Sequence, residues 1–144
     1  NGIMNHVFKC YVPYKGDIPG RVRGSLVAFE QGETTGYGIF SLQDRGVMFI
    51  GPGEPVYEGM IVGENTREMD MDINPCKAKH VSNMRTSSSD EAIRLTPPKI
   101  LSLEQAIEYI NQDELVEVTP DSIRLRKSIL DRTVRGRASK NARK

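Results

Sequence analysis

The sequence predicts an α+β fold that is mostly β: an antiparallel meander or small barrel, one short packed helix and a long projecting basic loop. Three observations lead to it. Twelve of the thirteen glycines fall in the first 63 residues, between short runs rich in Val, Ile, Phe, Tyr and Leu, a spacing typical of short antiparallel strands. A single well-signalled helix follows Pro97 and Pro98. Between these regions lie 25 residues, 74–98, dense in Lys, Arg, Ser and Asn and without helical or strand periodicity.

The elements follow in order. Residues 3–14 form a strand-like run, and because the chain opens on Asn rather than Met, it reads as a piece of something larger. Strands are expected at 25–30, 34–42, 47–50 and 56–62. Gln31-Gly32, Asp44-Arg45-Gly46 and Gly51-Pro52-Gly53 supply the turns between them. A structureless connection as long as 74–98 is uncommon in a compact domain unless it has a function or is disordered. The helix begins at Ser102, whose hydroxyl caps the first turn while Gln105 reaches back. Leu103, Ala106, Ile107 and Ile110 follow at i, i+3, i+4 and i+7, the spacing of one apolar stripe lying on the sheet. Residues 115–119 read as a strand and Pro120-Asp121 as a turn. In 123–127 Ile123 and Leu125 alternate with Arg124 and Arg126, so a strand buries the aliphatics and turns the arginines outward. From Asp131 no apolar periodicity remains, and 131–144 is expected to be a basic, disordered tail.

At 144 residues the chain can bury a core without disulfide or metal. Cys10 and Cys76 are far apart and outside any metal-ligand spacing, which favours a reducing compartment. No apolar run approaches the roughly 20 residues that cross a bilayer, so a soluble protein with no membrane partner is expected. The net charge of +1 hides an asymmetry: residues 122–144 hold nine Lys or Arg against Asp131 alone, whereas 1–121 hold eleven basic and eighteen acidic side chains. An acidic body with a basic tail suits a nucleic-acid partner, and charge alone leaves a solvated tail equally open.

Each enzyme signature fails at a particular residue. No GxxxxGK[ST] is present to cradle a nucleotide phosphate. Asp70, Asp72 and Asn74 imitate the first ligands of a calcium loop, but Pro75 and Val81 stand where that loop needs Gly and Glu. His6 and His80 are isolated, and no nucleophile elbow accompanies any serine. No catalytic or metal-binding residue is assigned. Binding remains. Lys77, Lys79, His80, Asn83, Arg85 and Thr86 offer donors suited to phosphate and 2′-hydroxyl oxygens, while Val81 and Met84 can pack on a ribose or base; the bland reading is a solvated charge run.

The runs HVFKCYVPYKGDIPGRVRGSLV, FIGPGEPVYEGMIVGENTRE, NMRTSSSDEAIRL and DELVEVTPDSIRLRK, in this order and across nearly the whole chain, resemble the C-terminal region of BipA/TypA, a family of elongation factor G-like, ribosome-associated translational GTPases. The resemblance implies that 1–14 is the last strand of a preceding ferredoxin-like domain and 15–130 the family-specific C-terminal domain. GTP and Mg would belong to a GTPase domain outside these residues, with no cofactor bound here. It implies binding to the ribosome (70S and 50S), contact with 23S rRNA and the acceptor end of A-site tRNA, and a role in large-subunit assembly and in growth under stress or cold. The matching loop positions lie within 77–89 and include Ser87, and the SIRLRK run makes Arg124, Arg126 and Lys127 a second RNA surface. A monomer in the bacterial cytoplasm is expected, with an organellar parent left open. The rival expectation is a protein-interaction domain that docks on the parent's other domains or on ribosomal proteins, with the loop as a tether.

Overall fold

The computed structural model describes residues 2–16, 20–79 and 94–142. Its centre is β5 (Met60–Asn65), whose two edges organise the rest of the chain. On one edge lies β1 (Ser25–Ala28), antiparallel, followed by β6 (Met71–Ile73), parallel to β1. The other edge is shared. β3 (Gly46–Met48) pairs with Gly63 to Asn65, and β8 (Ile123–Lys127) pairs with Met60 and Ile61 and carries β7 (Glu114–Val118) outside it. The register of β1 on β5 skips Val62, a bulge at the point where the opposite edge passes from β8 to β3. Two short strands, β2 (Gly32–Glu33) and β4 (Pro55–Val56), form a separate ribbon.

Alternate residues of the sheet bury opposite faces, as the pleat requires. Leu26, Ala28, Met60 and Val62 meet Ile39 and Leu42 of α1 (Gly36–Leu42), with Met48, Ile50, Val56 and Ile73 completing that core. Val27, Ile61 and Leu125 meet Ala106 of α2 (Leu103–Tyr109), together with Phe49, Leu101, Tyr109 and Ile110. The sheet is thus the middle of three layers, and each fully buried Leu, Ile or Val contributes about 1.5–3 kcal/mol. Cys10 is exposed and Cys76 half-buried, both as free thiols.

The fold is α+β and mostly β, with several corrections in detail. The sheet is open and mixed rather than a meander or barrel, because sequential strands are rarely neighbours and β6 runs parallel to β1. Residues 34–42, expected as a strand, form α1: Thr35 caps the helix by accepting from the Gly38 amide at 2.9 Å, and Ile39 and Leu42 bury one turn apart. Gly36 and Gly38 masked the helix, yet Gly38 is needed, since a Cβ there would run into the Pro75 carbonyl. The capping box of α2 is present in both directions, with Gln105 N on Ser102 Oγ at 3.3 Å and Ser102 N on Gln105 Oε1 at 3.1 Å. The face α2 buries is Ala106, Tyr109 and Ile110, whereas Leu103 and Ile107, both expected on the buried stripe, are exposed at 37% and 58%. The tail is helical as α3 (Arg132–Ala142), whose first turn is capped by Asp131 accepting from the Val134 amide at 2.8 Å. No strand is assigned within 2–16, where Ile3, Val7, Phe8 and Tyr11 are exposed. Among the described residues no helix is long and apolar enough to cross a membrane.

Candidate nucleic-acid interface

The basic segment leaves the sheet after β6 through an ordered root. Asn74 accepts from the Cys76 amide at 2.9 Å and donates to Glu30 Oε2 at 2.7 Å. Pro75 is buried, and its carbonyl accepts from the Thr35 amide at 3.1 Å. Lys77 and Lys79 then stand exposed, their ammonium groups available to an anionic partner. His80, Asn83, Arg85, Thr86 and Ser87 lie outside the described residues. The segment returns at Arg94, Leu95 packs on the first core, and the Lys99 amide donates to the Met48 carbonyl at 2.8 Å.

In β8 the predicted alternation holds at Leu125 but not at Ile123, which was expected to be buried and is exposed at 37% where the strand runs past its partner on β5. Leu125 is buried on the α2 side, and Arg124 and Arg126 lie half-buried on the other. The Arg126 Nε is 2.9 Å from Glu117 Oε1, and Tyr57 Oη donates to Glu117 Oε2 at 2.6 Å. Burial first, and then this hydrogen bond, push the Tyr57 phenol up. The pairing of Leu125 with Ile61 would continue with Ile123 opposite Gly63, but Gly63 already pairs with Met48. β3 and β8 therefore diverge, and a cleft of about 640 Å³ lies between β8 and the segment that follows β3, lined by Phe49, Ile61, Leu101, Leu125, Arg124 and Asp121.

Lys127 does not belong to this surface. The same alternation that turns the arginines outward carries Lys127 inward, to 1% exposure. Its Nζ lies 2.9 Å from Asp113 Oδ2 and from Glu114 Oε1, and also pairs with Asp70. Glu114 is itself buried and accepts from Arg21 Nη1 and Nη2 at 3.0 and 2.9 Å, Ser25 Oγ at 2.9 Å and the Asn111 amide at 3.0 Å. Burial alone would raise the Glu114 carboxyl, but the bonds from Arg21, Lys127 and Asn111 outweigh it and hold the group down at about 2. Burial likewise opposes the Lys127 ammonium, and the carboxylates of Asp70, Glu114 and Asp113 more than restore it. Burial also raises Tyr109, in contact with Ser25 and Arg21, to about 12. Removing one member of such a set would leave a buried charge uncompensated. This is a structural pin joining β8, β7 and the strand-entry segment at Arg21, not a phosphate contact.

The acidic residues that imitated a calcium loop are engaged by the chain's own groups. Asp70 meets Lys127 and the Ser25 amide, and Asp72 meets Arg132 and Arg135. These last contacts dock α3, aided by the Arg132 amide on Glu58 at 2.8 Å and by the Arg132 guanidinium 4.9 Å from the Phe29 ring centre. Two basic groups of the tail are thereby engaged, and Arg137 and Lys140 remain exposed. Sequence reasoning missed two polar residues beside the loop, Thr35 and Gln43; the cap signal Thr35 was readable, and Gln43 left no sequence trace.

Residues 23–132 match the family described as TypA/BipA C-terminal domain. The chain is 48% identical over 140 residues to the large ribosomal subunit assembly factor BipA of Bacillus subtilis, covering 96% of this chain and 23% of that protein. It is 52% identical over 126 residues to the Synechocystis protein of the same name, covering 88% and 21%. It is 51% identical over 126 residues to the putative elongation factor TypA-like SVR3, chloroplastic, of Arabidopsis thaliana, covering 88% and 18%. The chain thus spans less than a quarter of the length of these relatives.

Proposed function

The chain belongs to the TypA/BipA C-terminal domain family, and on that premise we propose that it is the ribosome- and RNA-binding module of a translational GTPase that acts in large-subunit assembly. One observation carries the reading: relatives named as large ribosomal subunit assembly factors match across 96% of the chain, a span that takes in the basic segment. The exposed Lys77 and Lys79 support the same surface. In the finer reading, Lys77, Lys79, His80, Asn83, Arg85, Thr86 and Ser87 contact 23S rRNA and the acceptor end of A-site tRNA, with Arg124 and Arg126 as a second surface. GTP and Mg are held by another domain of the longer protein. The module works by recognition as a monomer, in the cytoplasm or, as the name of the Arabidopsis relative suggests, in an organelle.

Phosphate contacts release counterions, so affinity for 50S subunits should fall with salt at a slope of about 0.7–0.9 per neutralised phosphate. The triple variant K77A/K79A/R85A should flatten that slope by about one unit per side chain removed. A slope equal to the parent's rejects the loop as the contact surface.

The exposed apolar side chains of Ile3, Val7, Phe8 and Tyr11 favour a second, compatible contact. Residues 1–14 would complete the sheet of a preceding ferredoxin-like domain. If docking on protein is the main role instead, 50S binding depends on apolar surface and survives K77A/K79A/R85A.

A further inference from the structure

Helix α1 lies between the two roots of the basic segment and is bonded to both. At its start the Thr35 hydroxyl accepts from the Gly38 amide at 2.9 Å and donates its one proton to the Lys77 carbonyl at 2.6 Å. At its end the Gln43 side chain uses both halves of its amide: Oε1 accepts from the Thr96 amide at 3.2 Å, and Nε2 donates to the Arg94 carbonyl at 3.2 Å. A hydroxyl and a carboxamide each combine donor and acceptor: Thr35 uses its pair on the helix and one root, and Gln43 uses both halves of its amide on the other root while its backbone N–H bonds the Ile39 carbonyl of the helix. Gly38 admits the Pro75 backbone against the helix, and Leu95 packs beside Ile39 and Leu42 in the first core. With a rise of about 1.5 Å per residue, Thr35 and Gln43 stand about 12 Å apart along the axis. The two roots are therefore tied at a separation set by the length of the helix.

We propose that α1 is the clamp of the RNA-binding segment, with Thr35 and Gln43 as positioning residues. They fix the backbone at Lys77 on one side and at Arg94 to Thr96 on the other, so part of the ordering cost of recognition is met before the partner arrives. The inference rests on the function proposed above, and it separates geometry from charge. Loosening the clamp weakens affinity while the number of neutralised phosphates stays the same. Removing basic side chains changes the number itself.

The test uses four uncharged variants of the whole chain, Q43L, T35G, T35S and the double variant T35G/Q43L, with purified 50S subunits across a salt series. Glycine retains most of the capping propensity of Thr but has no proton for the Lys77 carbonyl, and serine retains both functions. Thermal midpoints confirm folding, and amide exchange at Thr96 reports the root directly. The expected result is fast exchange at Thr96 in Q43L and, in the T35G/Q43L double variant, affinity lower by on the order of tenfold at an unchanged salt slope. T35S should behave as the parent. Faster exchange at Thr96 with parental affinity overturns the clamp as a device for recognition, and so does an affinity loss that T35S fails to rescue. A parent chain that binds no 50S subunits at any salt overturns the function proposed above instead; Thr96 exchange in Q43L that matches the parent's then overturns the anchoring as well.

Discussion

Replacing Glu114 with Gln removes one negative charge from a site that holds Arg21 and Lys127 within 3.0 Å and keeps the shape of the side chain. The folded-state pKa of Glu114 is about 2 against an ordinary 4.5, so the folded protein binds its proton less readily than the unfolded chain does. A depressed carboxylate contributes stability that is complete above the unfolded value and is lost as pH falls toward the folded one. The gap corresponds to about 3 kcal/mol at pH 7, of which roughly 2 kcal/mol is gone by pH 3. Urea unfolding of the parent and E114Q, followed between pH 7 and pH 3, reads this contribution as the difference between the two proteins. The stability difference should be largest at pH 6–7 and shrink by about 2 kcal/mol at pH 3. A difference that stays constant across that range would show that the ionised carboxylate is not what the pin depends on.

The inward lysine separates stability from recognition: K127M should change unfolding midpoints and leave the 50S salt slope untouched, whereas R124A/R126A should change the slope if the second surface meets phosphate. A K127M slope flattened by about one unit would return Lys127 to the interface. Gly59 has a φ of +86° and faces the Leu130 backbone, so G59A meets both backbone strain and a clash and should cost about 1–3 kcal/mol in urea unfolding. A neutral G59A would mean that the passage from β8 to α3 is free to shift.

Much of the fold was legible because its signals are local. The capping box at Ser102 and Gln105, the inward Leu125 between Arg124 and Arg126, and the turn at Gly53 each depend on residues a few positions apart, and all three are present. The failures share one cause. Residues 34–42 carry β-favouring Tyr, Ile and Phe beside two glycines, a local preference that the cap and the burial of Ile39 and Leu42 override. Ile107, expected on the buried stripe, is exposed because the sheet offers α2 a surface for Ala106 and for the Tyr109 ring that stacks edge-on with Phe49. In the tail, helix formation draws on Asp131, Asp72 and Glu58, two of which lie more than fifty residues upstream.

The sequence by itself determined the mostly β class, the Ser102 cap, the turn at Gly53, the basic segment and the family, since each is written in residue types or in neighbours along the chain. Only the tertiary structure decided which charges are available. Arg124 and Lys127 are three residues apart and chemically alike, yet one borders an open cleft and the other is enclosed by Asp70, Asp113 and Glu114. A lysine's partners are set by what the fold brings within about 3 Å of it, and Coulomb attraction acts over that distance in space rather than along the sequence.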